Sequence, residues 1–501
     1  MIKRRHFLHN TIWTSNGVLT FRYPIGWITS GLLLIVFLWL LNTAAVPSPT
    51  PPLDRPNILF CIADDWSLHA GVYGDAVVKT PHIDRIASSG IKFKNAFCAA
   101  PSCSPSRAAI LTGRYPHQLD EGGNLWGTLP KKYPNYSDLL EKSGYYVGIE
   151  GKGWGPGKYE VGGYAQNPAG KSYKNFTDFW HNKPKNQPFC YWFGSHDPHR
   201  PYEKGQGKAA GLDPTQVKVP AWLPDTPEIR EDIVDYYFEI QRFDRELGEI
   251  VEKLRQSGEL SNTLIVITGD NGMPFPRAKA NVYDGGSNVP LIICWENQLK
   301  AQPKIEETLV SLVDLAPTFL ESAKLPIPLE MRGKSLLPYL TKKTKSHRSE
   351  VFLERERHAN VRRDNQSYPI RAIRTKDFLY IKNLQPLLYP GGDPELWFAV
   401  GEYGDVDGSP SKTLILSDTL KFQPYFQLAF AKRPAEELYD LRIDPFQLKN
   451  VANQAPYGKV QKALFKKIND WQKSTQDPRF TGGDPFSTYP YYGGAVKKDS
   501  K

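Results

Sequence analysis

At 501 residues the chain is long enough for one large domain and a smaller one, with ample core between them. Its formal charge of +10 suits an anionic substrate, but its 63 basic side chains are scattered among 53 acids, and no basic stripe interleaves with aromatics. Nucleic-acid binding therefore has no support, and 42 Pro and 40 Gly beside 12 Trp and 26 Tyr imply ordered loops rather than long disorder.

The N-terminus reads as an export element. Lys3, Arg4, Arg5 and Arg22 precede an uncharged stretch from Ile28 to Val46, with Thr43, Ala44 and Ala45 at its end and a Pro-rich segment from Pro47 to Pro56 beyond. The apolar stretch approaches spanning length, so it predicts either a cleaved signal or a retained anchor, with the rest of the chain working in the periplasm or outside the cell. Three parts follow: 1–55 as signal or anchor and linker, 56–349 as an α/β domain, and 350–501 as an α+β subdomain with an irregular tail. The five cysteines (Cys61, Cys98, Cys103, Cys190 and Cys294) form no CxxC pair and no zinc-like spacing, and do not read as a disulfide framework.

Asn57–Ala63 is continuously apolar, as a buried parallel strand is, and ends in Asp64-Asp65. Two carboxylates at the C-terminal end of such a strand suit a hard divalent cation. Thr80–Ala87 reads as a short helix and Phe93–Phe97 as a strand. Pro105 can open a helix with Ser104 as its cap, which sets Cys103 just ahead of a helix N-terminus and Arg107 on the same side. Tyr145–Glu150 is a strand leading into Gly151-Lys152-Gly153-Trp154, where the glycines allow close backbone approach to an anion and Lys152 adds a cation. Pro188–Gly194 is another strand, followed by Ser195-His196-Asp197-Pro198-His199-Arg200. One histidine of this loop can serve as a general acid, with Asp197 orienting either ring.

Pro227–Leu260 has helical spacing, with Ile233, Tyr237, Ile240, Phe243, Leu247, Ile250 and Leu254 on one face. Thr263–Thr268 is a further parallel-type strand ending in Asp270-Asn271-Gly272, whose oxygens pair with Asp64 and Asp65 to make one cation site. Asn288–Trp295 is a strand, and Ser311–Thr318 opens a helix. From about Glu350 short strands at Val351–Glu354, Arg371–Thr375 and Phe378–Ile381 predict an antiparallel sheet.

These strings resemble the type I sulfatase family. The resemblance rests on Cys103-Ser104-Pro105-Ser106-Arg107 with Leu111-Thr112-Gly113-Arg114, and on Leu438-Tyr439-Asp440-Leu441 with Asp444-Pro445 and Asn450. Within that family the heparan N-sulfatase branch is the nearest match. Its strings are Thr80-Pro81-His82, His196-Asp197-Pro198-His199-Arg200, Asp270-Asn271-Gly272-Met273-Pro274-Phe275-Pro276 and Arg371-Ala372-Ile373-Arg374-Thr375.

The resemblance implies an alkaline phosphatase-like sandwich, a mostly parallel sheet between helices, with a small C-terminal α+β domain carrying an antiparallel sheet. It implies that a maturation enzyme converts Cys103 to formylglycine. The implied metal is Ca²⁺, ahead of Mg²⁺, held by Asp64, Asp65, residue 103, Asp270 and Asn271. Arg107, Lys152 and Lys279 are expected to meet the sulfate, and His199, with His196 as the runner-up, to protonate the leaving group. Two stretches depart from the branch: Trp154 stands where it has a histidine, and Leu119–Trp126 has no counterpart in its pattern. An indole at Trp154 suits stacking on a pyranose, and Asp120 and Glu121 suit sugar hydroxyls. The expected substrate is therefore an O-sulfated saccharide, with N-sulfoglucosamine close behind. A phosphoester or phosphonate hydrolase and a catalytically weakened sulfated-glycan binder are the remaining alternatives.

Overall fold

β1 (Asn57–Ala63) lies inside an eight-stranded sheet, because its run from Ile58 to Ala63 is apolar enough to be buried on both faces. The computed structural model describes residues 55–301, 305–395 and 401–493, so the export element expected at the N-terminus lies outside the described residues. Among the described residues no helix is long and apolar enough to cross a membrane. The other strands are β2 (Ile91–Phe97), β3 (Tyr146–Gly151), β4 (Lys171–Ser172), β5 (Phe189–Gly194), β6 (Thr263–Gly269), β7 (Asn288–Cys294) and β8 (Glu306–Ser311), in the order β4-β3-β5-β1-β6-β7-β2-β8. Pairing is parallel except around β7, which runs antiparallel to both its neighbours. The expected mostly parallel α/β sheet is what forms.

Side chains of β1 alternate between two cores. Leu59, Cys61 and Ala63 face the long helix Pro227–Gln256, and Ile58, Phe60 and Ile62 face the helices Cys103–Thr112, Tyr136–Lys142 and Leu315–Ser322. The long helix starts where Thr226 caps it ahead of Pro227 and stops at Gln256, short of the expected Leu260. Gly258, at φ 76°, takes the chain out of helical conformation there.

A second, antiparallel sheet of order β12-β11-β10-β9 comprises β9 (Glu350–Arg355), β10 (Ile370–Thr375), β11 (Phe378–Asn383) and β12 (Glu436–Asp440). One face packs through Val351, Leu353, Ile370 and Leu379 on Phe97, Val282 and Tyr283 of the first layer, and the other carries the helix Gly458–Ser474. All five cysteines are free and buried.

Register is what positions the site. Ala63 pairs with Gly269, Ile62 with Gly194, and Gly194 with Gly151, so four neighbouring parallel strands end level with one another. The loops leaving them are laced by backbone hydrogen bonds: Asp270 N–H to the Ala63 carbonyl (3.0 Å), Asp64 N–H to that of Asp197 (2.9 Å) and Lys152 N–H to that of Gly194 (2.7 Å).

Candidate active site

The residues at those strand ends converge. Asp64 and Asp65 follow β1, Lys152 follows β3, His196 and His199 follow β5, and Asp270 and Asn271 follow β6. Asp64, Asp65 and Asp270 each offer a carboxylate oxygen within 4.8 Å of the others, and Asp64, His199 and the Cys103 thiol form an overlapping group of the same size.

Cys103 enters from the helix beneath, and here one expectation is corrected. The helix runs Cys103–Thr112 and starts two residues before Pro105, so Cys103 is its first residue rather than lying ahead of it. Ser102 is extended, and its carbonyl takes the first intrahelical bond, from Ser106 N–H at 2.9 Å. Pro105 then falls within the first turn, where a missing N–H costs nothing. Neither Ser102 nor Ser104 caps through its side chain. Ser102 Oγ lies 2.8 Å from His358 Nδ1, and Ser104 Oγ donates to the Pro156 carbonyl.

Arg107 is fully buried. Its Nε donates to Asp270 Oδ2 (2.8 Å), and Nη1 donates to the carbonyls of Lys152 (2.6 Å) and Gly153 (3.0 Å). The Lys152 ammonium pairs with Asp64, and Lys279 Nζ lies 2.7 Å from Asp65 Oδ2 and 3.2 Å from Asp407 Oδ2. Burial opposes charge on Asp64, but Lys152, His199 and Arg107 outweigh it and hold its pKa well below the ordinary range. Burial and the Asp64 charge push Asp270 up to about 6, against the pull of Arg107 and Lys152. Burial, then the Asp64 carboxylate, also push the Cys103 thiol well above its ordinary value. As a thiol this side chain is a poor nucleophile.

The residues fit a divalent cation. Asn271 donates its amide N–H to Asp65 Oδ1 (2.8 Å), while its buried Oδ1 has no hydrogen-bond partner in the protein. A fully buried acceptor left open beside three carboxylates is what a hard cation satisfies.

A cleft of about 510 Å³ opens onto this cluster, lined by Asp64, Trp126, Lys152, Pro156, His196 and His199 among others. Its volume is in the range of small-ligand sites. His199 is partly exposed, with Nδ1 donating to the Arg200 carbonyl, so Nε2, 3.8 Å from Asp65 Oδ2, is the ring nitrogen turned toward the carboxylates. His196 stands exposed at the cleft mouth, and partial desolvation of its ring, with Lys152 nearby, lowers its pKa.

Three expectations are corrected. Trp154 is only 3% exposed and packs in the sheet core, with its backbone tied to Asn167, so its indole offers no face to a sugar. Asp197 orients neither histidine, since both its oxygens are taken by Arg242 of the long helix at 2.7 and 2.9 Å. Asp120 turns away to Lys132 and Tyr133. His82 packs against Gly248 of the long helix.

Sequence reasoning missed Asp407 and His358, which come from the C-terminal region to meet Lys279 and Ser102. Asp405-Val406-Asp407-Gly408 reads as an ordinary turn, and no local pattern distinguishes it.

The family model described as Sulfatase matches residues 56–325, and that described as N-sulphoglucosamine sulphohydrolase, C-terminal, matches 277–389. The chain is similar to the N-sulphoglucosamine sulphohydrolase of Homo sapiens, 30% identical over 475 residues that cover 85% of this chain and 91% of that protein. It is also similar to an ulvan-active sulfatase of Formosa agariphila, 29% identical over 475 residues, covering 85% and 76%. A solved structure of a protein in complex with its substrate, D-glucosamine-2-N,6-O-disulfate, has a TM-score of 0.62 at 21% identity, covering 86% of this chain and all of that one. That last likeness speaks for the fold.

Proposed function

Because the chain belongs to the sulfatase family, we propose that it hydrolyses sulfate groups on a saccharide, with residue 103 as formylglycine and a divalent cation, calcium before magnesium, held by Asp64, Asp65, Asp270, Asn271 and residue 103. The observation that carries this reading is the balanced cluster around Cys103, where Asp64, Asp65 and Asp270 face Arg107, Lys152 and Lys279. Such a cluster suits a cation and an anion bound together better than either alone.

The cation would supply Lewis acidity toward a sulfate oxygen. Formylglycine would supply, as its hydrate, a hydroxyl nucleophile toward sulfur. The rest belongs to the chain itself. Arg107, fixed by Asp270 and two carbonyls, and Lys152 and Lys279, fixed by carboxylates, offer positive charge to the sulfuryl oxygens without reorganising. His199, held at Nδ1, presents Nε2 as the proton donor to the departing oxygen or nitrogen. His196 meets the sugar at the cleft mouth. We further propose an exported protein divided at about residue 350, matured by a formylglycine-generating enzyme.

The match of 277–389 to the C-terminal N-sulphoglucosamine sulphohydrolase model favours a second reading, N-sulfoglucosamine as substrate. One assay tests both: purified enzyme with glucosamine 6-sulfate, N-sulfoglucosamine and glucosamine 6-phosphate, with and without prior chelation. Sulfate release from either sulfated sugar, lost on chelation and restored by calcium, is expected. Release of phosphate alone, or full activity after exhaustive chelation, overturns the corresponding part.

A further inference from the structure

We propose that Trp126 is the sugar-binding platform of this cleft, and that the C-terminal segment 486–492 is the strut that fixes it. The inference rests on the saccharide reading and names the surface that receives the pyranose ring. Among the described residues lining the cleft, Trp126 contributes the one indole, on the same opening as Lys152, His196 and His199. It is partly exposed, unlike the buried Trp154.

Its backbone is at φ 57°, a left-handed conformation that a bulky side chain keeps only where the surroundings impose it. Those surroundings are specific. Tyr492 N–H donates to the Trp126 carbonyl (2.8 Å), and Lys158 N–H to that of the following Gly127 (3.1 Å). On the other side Leu125 N–H donates to the Arg357 carbonyl (3.0 Å), and Asn124 Nδ2 to that of Phe486 (2.9 Å). Arg357 is 1% exposed and donates Nη1 to the Tyr489 carbonyl and Nη2 to that of Pro490, each at 2.7 Å. Tyr491 meets the Trp126 ring at 6.4 Å between centroids with the planes 60° apart.

The indole is therefore positioned before any ligand arrives, which removes an ordering cost from binding. With the sulfate drawn to Arg107 and Lys152, the apolar face of the attached pyranose has this ring as its wall. A flat, rigid aromatic presents a large contact area for little entropy, which is why such residues carry binding energy out of proportion to their number.

The test compares the intact protein with Trp126→Ala, Trp126→Gly (which suits a left-handed backbone) and Trp126→Phe. For each, KM and kcat are measured on glucosamine 6-sulfate and N-sulfoglucosamine, with the competitive Ki of inorganic sulfate alongside. The platform predicts a KM about tenfold higher in the Ala and Gly variants with kcat little changed, as loss of uniform binding gives, and partial rescue by Phe. The Ki for sulfate, which has no ring to stack, should move less than twofold. Arg357→Met, folded by thermal melt, should show the same selective rise. A saccharide KM equal to that of the intact protein, or a KM and sulfate Ki that rise together, overturns the platform and leaves the sulfatase reading standing. An intact protein inert to both sugars overturns the reading on which it rests.

Discussion

Cys103 is 2% exposed at the first position of its helix, where burial and the Asp64 charge disfavour its thiolate against the pull of Lys152 and Lys279. Cys103→Ala should therefore abolish turnover and barely shift the melting temperature. Mass spectrometry of the peptide holding residue 103 in active enzyme should show an aldehyde in place of the thiol, and an unmodified thiol throughout would sink the assignment. His358 gives a second prediction at this scale. Burial, with Lys279 and Arg355 nearby, lowers its pKa to about 3 against an unfolded value of ~6.5. Between those values the unfolded chain binds the proton and the folded one does not. Stability is thus fully present above pH ~6.5 and falls on acidification, by up to ~1.4 kcal/mol per pH unit. Urea unfolding of His358→Asn, which retains a partner for Ser102, should give a flatter profile over that window. Parallel profiles would contradict it.

At the scale of elements, the ends of the parallel neighbours β3 and β5 form a close joint in the site. A Cβ added at Gly194 would meet the Lys152 carbonyl oxygen at 1.9 Å, and that oxygen accepts from both Arg107 and Trp192. Gly194→Ala should cost ~1–3 kcal/mol by overpacking and lower kcat by displacing the Arg107 anchor. A denaturant midpoint and kcat both equal to those of the unaltered protein would refute this. The helix Cys103–Thr112 shows why some elements are hard to read from pattern alone. All ten of its residues are buried, so it carries no amphipathic stripe, and its motif rather than its periodicity identifies it. β8 and β12 escaped notice for a different reason: both are edge strands, and their charged first residues (Glu306-Glu307 and Glu436-Glu437) mask the pattern.

Across the whole molecule, the C-terminal region holds a buried ionic knot that reaches the first layer through His117. Arg371 pairs with Glu356 at 2.7 Å and with Asp477 at 2.6 Å, Arg479 meets Glu356 at 2.6 Å, and His117 meets Glu354 at 2.6 Å. Arg371→Ala leaves Glu356 and Asp477 buried with a cation missing. It should cost ~3–5 kcal/mol, because breaking a buried pair strands the surviving charge. A shift below ~1 kcal/mol in chemical denaturation would show that the knot is not structural. Since residues 477–492 run from this knot to Trp126, the same variant should also raise the KM for a saccharide.

The sequence by itself determined the parts that depend on local order. β1, β3, β5 and β6 are short apolar runs with polar residues fixed at their ends, so period and punctuation reveal both the strands and the positions of Asp64, Lys152, Asp270 and the histidine loop after β5. What it could not determine depends on partners distant in the chain. Asp197 is taken up by Arg242, 45 residues away, and Trp154 is drawn into the core by packing. Asp407 reaches Lys279 across 128 residues, and Trp126 is held by a tail more than 360 residues downstream. Side-chain direction in these cases follows from which surface folds onto which: for Asp197 and Trp154 within the first layer, and for Lys279 and Trp126 when the C-terminal region meets that layer.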